Sequence, residues 1–550
     1  MLIDARRMPV GVSLRAPVCI VGAGAAGTTI ALELLRAGIE VIVLDGGGSR
    51  AEKEAQDTYR GVVEDDGDHD PLERVRQKRL GGTTQQWGGR CAPLDRLDFE
   101  YRSYVGGSGW PIGYDDLEPY YRRAHPFLGL GAFEYGAGDA IPDGRPLLAP
   151  SGPDPSVTDE AIWRWGPPVK FWNAYGRELS SSPGARVYHH ANVVRLESAT
   201  AEGRVERVVF SAGSVEHTVE SPVVVLAAGG LEVTRLLLVS NGQRPAGLGN
   251  SSGLVGRYYM THPIGEVCRV RFTPPPPRWI HDYERTHDDV YCRRMLKVGP
   301  SEQRRQGLLN LAIAPWYPDP QDPAHDDPVL SAFALAKLGL ARTRMTWKAT
   351  GIHRRYGSTG QIGAHANNVI HGLPALVRFG GYWARNRWLA ERRLPSFMRD
   401  VGDAPLRLRF DAEQSPDLEN RVALSRDRDH FGVPRLSVRF RVSNGDRHSI
   451  ARSLAVVAAE LEQRHLASVE LVSLADLEAM RFGDGTHQMG LTRMRDSPTQ
   501  GVVDRHCRLH DSPNVYVASS SVFPTSGAVG PTLTIVALAI RIADEIKCAG

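Results

Sequence analysis

Val18-Cys19-Ile20-Val21 runs directly into Gly22-x-Gly24-x-x-Gly27, and no other feature of this chain restricts its fold so tightly. A short apolar run of this kind suits a parallel strand buried on both faces. Thr28 to Ala37 then carries helical spacing and stops at Gly38, and a second apolar run, Val41-Ile42-Val43-Leu44, ends in Asp45. Strand, turn, helix and strand make a βαβ unit. The first glycine of such a unit permits the tight turn, the second lets the backbone approach a pyrophosphate, and the third lets helix and strand pack closely. The helix start, Gly24-Ala25-Ala26, offers N–H groups and partial positive charge to that pyrophosphate. Asp45, followed by Gly46, stands about 20 residues past the turn, where an acid accepts from a ribose hydroxyl. The chain is therefore expected to be α/β and to bind a dinucleotide. The turn alone does not choose between FAD and NAD.

At 550 residues the chain has room for two domains with sizeable cores. Its formal net charge of +3 gives no footprint for nucleic acid. The six cysteines (Cys19, Cys91, Cys268, Cys292, Cys507, Cys548) are scattered without a CxxC pair. Neither a disulfide framework nor a metal site is expected from that spacing. Arg6-Arg7 is not followed by an uninterrupted apolar stretch or a small-residue cleavage site. No run approaches the roughly 18 apolar residues of a membrane span. The expectation is a cytoplasmic protein, with its oligomeric state open.

Farther along, Gly81, Gly82, Gly88 and Gly89 surround Thr83, Thr84, Gln86 and Trp87, which implies backbone lying against something flat. Trp110 to Tyr121 reads as a turn and then a helix capped by Asp115 or Asp116. Val187 to Leu196, Val205 to Phe210 and Val215 to Val219 read as a meander. Val223 to Leu226 returns to the parallel-strand signature, with a helix after Ala228-Gly229-Gly230. Arg407 to Phe410 and Pro434 to Val442 read as strands, Asp446 to Gln463 as a helix, Asn514 to Ala518 as a strand, and a closing helix starts at about Thr532. Lys337 to Arg399 holds a dozen basic residues against one acid, Glu391. That pattern predicts a solvated helical face, the alternative being a patch for a membrane surface or an anionic partner.

Taken in order, these segments resemble the glucose–methanol–choline (GMC) oxidoreductase family over almost the whole chain. The likeness rests on Gly22 to Gly27, Gly81 to Gly89, Ala228-Gly229-Gly230 and Val255 to Pro263. It continues through Glu413-Gln414-Ser415-Pro416, Glu419 to Val422, His487-Gln488-Met489-Gly490, Gly501 to Asp504, Ser521 to Gly527 and Pro531 to Thr534. Trp110 to Tyr121 and Ser520 to Pro524 look most like the bacterial pyranose and glycoside oxidase branch. The resemblance implies a Rossmann-like FAD-binding domain assembled from residues 1–110, 185–265 and 484–550. It also implies an α+β substrate domain with an antiparallel sheet from residues 111–184 and 266–483, the isoalloxazine lying between them. FAD becomes the expected cofactor. Besides the first turn, Asp45 and Gly46, its expected contacts are Gly82, Thr83, Thr84, Gln86, Trp87, Gly88, Gly89, Val193, Ala228, Gly229, Ser519, Ser520, Pro531 and Thr532.

Flavin accepts a hydride, and the protein must supply geometry and a base. Histidine, with an unperturbed pKa of about 6.5, takes a hydroxyl proton at neutral pH, and such a base contributes roughly 10²–10⁴ in rate. The resemblance gives this role to His487, and structural roles to His262 and His510. Two positions depart from the family pattern. Gly530 stands where relatives carry Asn or His before Pro531-Thr532, so Ser526, Thr532 or Gln488 is left to fill the space. Gln86 stands where some pyranose oxidases carry a histidine bonded to flavin, so FAD is expected to be held non-covalently. Ser519, where Gly or Asp is usual, is a smaller deviation. The function implied is oxidation of a hydroxyl of a sugar, glycoside or aminoglycoside-like polyol by hydride transfer to flavin N5. The alternatives are an FAD-containing lyase, in keeping with Gly530, and a non-enzymatic flavoprotein that docks through its basic segment.

Overall fold

The computed structural model describes residues 1–64, 68–148, 152, 154–198, 203–273, 282–342, 361–399, 404–482 and 485–549. The glycine-rich turn sits on a six-stranded sheet in the order Leu2–Asp4, Ala185–His189, Val41–Asp45, Val18–Val21, Val223–Leu226, Val515–Val517. Every neighbouring pair is parallel. Val18 to Val21 and Val41 to Asp45 are buried throughout, which explains their unbroken apolar character. The helices Ala25–Arg36 and Thr532–Ala549 pack against each other beside this sheet.

The expected meander is shorter than the sequence suggests. Residues 187–196 divide at His190, whose φ of 56° lies in the left-handed region. Before that kink the chain is a strand of the parallel sheet, and only Asn192–Ser198 joins Val205–Ala212 and Val215–Glu220 in an antiparallel meander. An unbroken β-like pattern hid the change of sheet. The helix Tyr114–Leu128 starts at Gly113, not at Asp115 or Asp116. Asp116 instead reaches back to accept from the Gly113 N–H at 2.7 Å, and Asp115 pairs with Arg96.

Two antiparallel sheets face the C-terminal ends of the parallel strands. The first runs Leu311–Trp316, Leu406–Ala412, Ile264–Phe272, Ala467–Glu470. In Leu406–Ala412, Leu406, Leu408 and Phe410 enter a core shared with Leu454, Val457 and Leu461 of the helix Asn444–Gln463. Arg407, Arg409 and Asp411 alternate with them and so lie on the opposite face. The second sheet runs Glu284–Arg285, Tyr291–Arg294, Ile162–Trp165, Arg90–Cys91. Its register sets Arg293 opposite Trp163 and Arg90 opposite Trp165, all on one face.

The basic segment is described in part, since residues 343–360 lie outside the described residues. Its helices Ile362–His371 and Leu373–Trp383 are mostly exposed, as a solvated helical face requires, but apolar side chains are part of that face. Ile370, Leu373 and Val377 are exposed, as are Trp388 (69%) and Leu389 (81%) just beyond. No helix among the described residues is long and apolar enough to cross a membrane.

Candidate active site

A cavity of about 810 Å³ opens at the carboxyl ends of the parallel strands and runs to the two antiparallel sheets. Ligands of open α/β sheets bind at this end, and the volume falls within the usual range for cofactor sites. Three helices begin at its wall: Ala25–Arg36, Gly230–Val239 and Thr532–Ala549. Each therefore offers unpaired N–H groups and a positive dipole end to an anionic ligand.

The three glycines of the turn differ in what surrounds them. Gly22 has φ +105°, and a Cβ there would lie 2.6 Å from the Ala227 carbonyl oxygen. A Cβ on Gly27 would meet the Gly22 carbonyl oxygen at 1.9 Å, whereas one on Gly24 would have nothing within 4 Å. Gly24 thus presents bare backbone to the cavity, as a pyrophosphate requires. Asp45 is buried and stitches the turn to the next strand, one oxygen accepting from the Ala23 N–H and the other from the Gly47 N–H, both at 2.9 Å. Beyond it Arg76, Lys78, Glu232 and Arg235 line the same end. Burial pushes the Lys78 ammonium down to about 8, and it donates to Thr58 Oγ1 at 2.9 Å. These residues fit the phosphates and polar groups of FAD.

Most of the cofactor contacts expected from sequence converge on this cavity. Gly22, Gly24, Ala25, Ala26, Asp45, Gly46, Gly82, Thr83, Thr84, Gln86, Trp87, Gly88, Val193, Ala228, Gly229, Ser519, Ser520, Pro531 and Thr532 line it. Gly27 and Gly89 do not; each is a packing glycine, and a Cβ on Gly89 would meet the Gly166 carbonyl oxygen at 2.7 Å. His487, Gln488 and Gly530 also line the wall. The Gln488 amide already accepts from the Leu231 N–H (3.4 Å) and donates to the Gly485 carbonyl (3.3 Å). Ser526 stands apart from the cavity: it is buried, and its hydroxyl accepts from the Gln414 N–H at 3.0 Å. It does not fill the space beside Gly530.

Behind His487 lies a partner whose importance the sequence understates. His487 Nδ1 and His262 Nδ1 are 2.7 Å apart, and His262 Nε2 lies 3.1 Å from the Ser526 carbonyl oxygen. A carbonyl only accepts, so His262 carries its proton on Nε2 and its Nδ1 is a lone pair. His487 must then donate from Nδ1, which leaves its Nε2 as the lone-pair nitrogen. That nitrogen faces Gly530: a Cβ there would stand 3.9 Å away. Burial first, and then the Arg90 guanidinium, push the His487 imidazole down to about 4, with Asp411 opposing. His487 is therefore neutral at pH 7. Gln414 holds the arrangement, its side chain accepting from the Thr261 N–H at 2.9 Å while its own N–H binds Ser526. His510, by contrast, bonds the Arg495 carbonyl at 2.9 Å and is structural.

The sheet side of the cavity, beyond His487, is walled by Trp163, Trp165, Tyr283 and Trp316, with Arg90, Arg293 and Arg409 among them. Arg90 pairs with Asp411 at 2.7 Å and lies 4.9 Å over Trp163. Arg293 and Arg409 lie 5.1 and 4.8 Å over Trp316. Apart from Arg90, which directly follows the Gly81 to Gly89 loop, these residues are scattered through the middle of the chain, where no motif marks them. The available signal was the alternation Arg407-Leu408-Arg409-Phe410, which announces one polar face without saying what it faces.

Comparison with known proteins agrees with this geometry. Residues 416–539 match the family model of GMC oxidoreductases, and residues 15–66 match that of an FAD binding domain. The chain is 24% identical to the fructose dehydrogenase large subunit of Gluconobacter japonicus, with 97% of this chain and 98% of that protein covered. It is 25% identical to paromamine 6'-oxidase of Streptomyces fradiae, covering 96% and 91%. Among solved structures it resembles pyridoxine 4-oxidase from Mesorbium loti (14% identity, 96% and 99% covered, TM-score 0.53). Formate oxidase is similar in fold as well (17% identity, 98% and 99% covered, TM-score 0.53). With these matches the chain is an FAD-dependent alcohol oxidoreductase that carries a region matching the GMC oxidoreductase model and is similar along its length to enzymes of that kind.

Proposed function

We propose that this protein oxidises a secondary or primary hydroxyl of a sugar, glycoside or related polyol to a carbonyl, with His487 as the general base. The observation that carries this reading is the His487–His262 pair. It fixes the imidazole so that a lone pair, not an N–H, faces the cavity beside Gly530. Bound FAD supplies the hydride acceptor. His487 Nε2 takes the hydroxyl proton as the C–H bond breaks, and its depressed pKa keeps it ready throughout the neutral range. Gly530 leaves room at that nitrogen, and the aromatic walls give apolar faces against which a sugar ring stacks. Among the relatives, the names fructose dehydrogenase, paromamine 6'-oxidase and 2-methyl-1,2-propanediol dehydrogenase all describe hydroxyl-bearing substrates.

The test is anaerobic mixing of the holoprotein with a panel of sugars and polyols while flavin absorbance is followed. Bleaching is expected. In His487→Ala, FAD content is retained and the reduction rate falls by roughly 10²–10⁴; reduction kinetics equal to wild type would remove His487 from this role. Turnover of substrate with persistently oxidised flavin would point to lyase chemistry instead. Gln86 accepts from Gln77 Nε2 at 3.1 Å and cannot bond flavin covalently. Acid precipitation should therefore leave the yellow colour in the supernatant.

A further inference from the structure

We propose that the sheet side of the cavity is a carboxylate subsite, so that the hydroxyl oxidised belongs to an anionic sugar. The proposal deepens the polyol-oxidising reading above and rests on it.

Charge at this end of the cavity is one-sided. Arg90, Arg293 and Arg409 line the wall, whereas the acids facing the cluster (Asp411, Glu266, Asp282 and Asp319) do not. Asp411 is committed to Arg90. Glu266 sits 2.6 Å from Arg407 and only 3.5 Å from Arg409, and Asp319, with its side chain 44% exposed, reaches Arg407 at 3.6 Å. Arg293 is the decisive residue. It is 2% exposed, forms no ion pair with any described residue, and gives one N–H to the Pro315 carbonyl at 2.6 Å. A guanidinium has five donors in a rigid fork, and this one meets the cavity through the small part of its surface that lines it. Burial, with Arg409 and Arg90 nearby, pushes it down to about 10, which leaves it cationic at neutral pH.

The unmet groups are mostly donors. Arg409 Nε, Trp163 Nε1 and Trp316 Nε1 are buried without a hydrogen-bond partner, with Asp411 Oδ1 the acceptor among them. These atoms are closed off from the cavity itself, so acceptor oxygens of a ligand would meet the guanidinium groups of Arg90, Arg293 and Arg409 that line it. A neutral polyol brings as many donors as acceptors, and an amino sugar brings a cation that these arginines repel. A carboxylate brings acceptors only, in the planar shape that an Arg fork binds bidentately. The tryptophans stacked against the guanidiniums hold them in place and exclude water.

The holoenzyme should be offered three sugars matched in ring and size: methyl glucoside, methyl glucuronide and glucosamine. Flavin reduction and ligand-induced shifts of the oxidised-flavin spectrum are both read. The uronic acid is expected to bind and reduce flavin on the order of ten- to a hundredfold better than the neutral sugar, the range of one charge-assisted hydrogen bond, and glucosamine least. In Arg293→Met that preference should collapse, while Arg293→Lys should keep part of it. Equal or reversed preference in wild type, or a preference unchanged in both Arg293→Met and Arg409→Gln, would overturn the proposal. So would a lowered flavin potential in Arg293→Met with the substrate-charge preference intact, because the arginines would then serve reduced flavin. The wild-type series needs no variant to fold. If neutral polyols bleach flavin as well as acids do, the subsite falls and the oxidoreductase reading stands. If no sugar bleaches flavin, that reading falls, and the spectral titrations alone decide the subsite.

Discussion

At the residue scale, the proposed chemistry rests on a single hydrogen bond between two imidazoles, His487 and His262. In that proposal His262 acts through His487, as a positioning residue, because its Nε2 proton is tied to the Ser526 carbonyl. Replacing His262 with Phe removes the acceptor for His487 Nδ1–H and frees the ring to adopt the wrong tautomer. Flavin reduction should then slow on the order of tenfold or more, the worth of one buried hydrogen bond. His262→Asn, which retains an acceptor oxygen, should recover part of that loss. A role confined to packing predicts that Phe is the better replacement. The pH profile is a separate check. The proposed base, His487, works only when neutral, and its pKa is pushed down to about 4 by burial and Arg90. The reduction rate should hold steady as pH falls through about 6.5, the ordinary histidine value, and decline only as pH approaches about 4. A midpoint at the ordinary value would mean that the imidazole is solvated.

At the scale of elements, the glycine-rich turn joins a strand and a helix through backbone alone, and would meet the cofactor in the same way. Gly27→Ala and Gly24→Ala separate its two tasks. The first places a methyl 1.9 Å from the Gly22 carbonyl oxygen, so the helix Ala25–Arg36 must move off the sheet. Both FAD content and melting temperature should drop. The second meets no protein atom within 4 Å, and its methyl projects into open space at the cavity wall. The apoprotein should melt as wild type while FAD affinity falls. Flavin-to-protein absorbance ratios and thermal melts of both variants measure this. If Gly24→Ala retains full flavin at low FAD concentration, the pyrophosphate does not approach that backbone.

The whole molecule is clamped around the cavity by buried charge. Arg102 forms a two-pronged ion pair with Glu413, both almost wholly buried, and Glu413 also accepts from the Asn310 N–H at 2.9 Å. The pair joins the segment after the second glycine-rich loop to the strand-end motif that carries Gln414, and so to the support of His262. Glu413→Leu strands a buried guanidinium and should cost about 3–5 kcal/mol. Arg102→Met combined with Glu413→Leu should regain most of it, because replacing a buried pair by apolar groups is often neutral. Calorimetric melts of single and double variants test this; a double variant no better than the single would mean that the pair itself, not its desolvation, holds the segments together.

Local pattern was enough for the βαβ unit, the parallel strands and the closing helix, because each is written in contiguous residues whose spacing has one physical reading; His487, which lines the cavity, was singled out by the family resemblance instead. Asp45 was located correctly at the strand end, but its partners, the Ala23 and Gly47 amides, appear only in the folded turn. The division at His190 escaped notice because a kink in one dihedral angle leaves hydrophobic alternation on both sides intact. The contact of His262 with His487, and the placing of Arg90, Arg293 and Arg409 at the cavity, escaped for another reason. Each of these residues acts through neighbours far away in sequence, and an isolated histidine or a charged strand face reads the same whether it meets solvent or a cavity. The chain's own order of residues determined that a dinucleotide site exists, and its likeness to a known family pointed to the imidazole beside it. Tertiary packing alone decided that imidazole's tautomer and the sign of charge opposite it, since both are set by groups brought together only when the sheets close over the cavity.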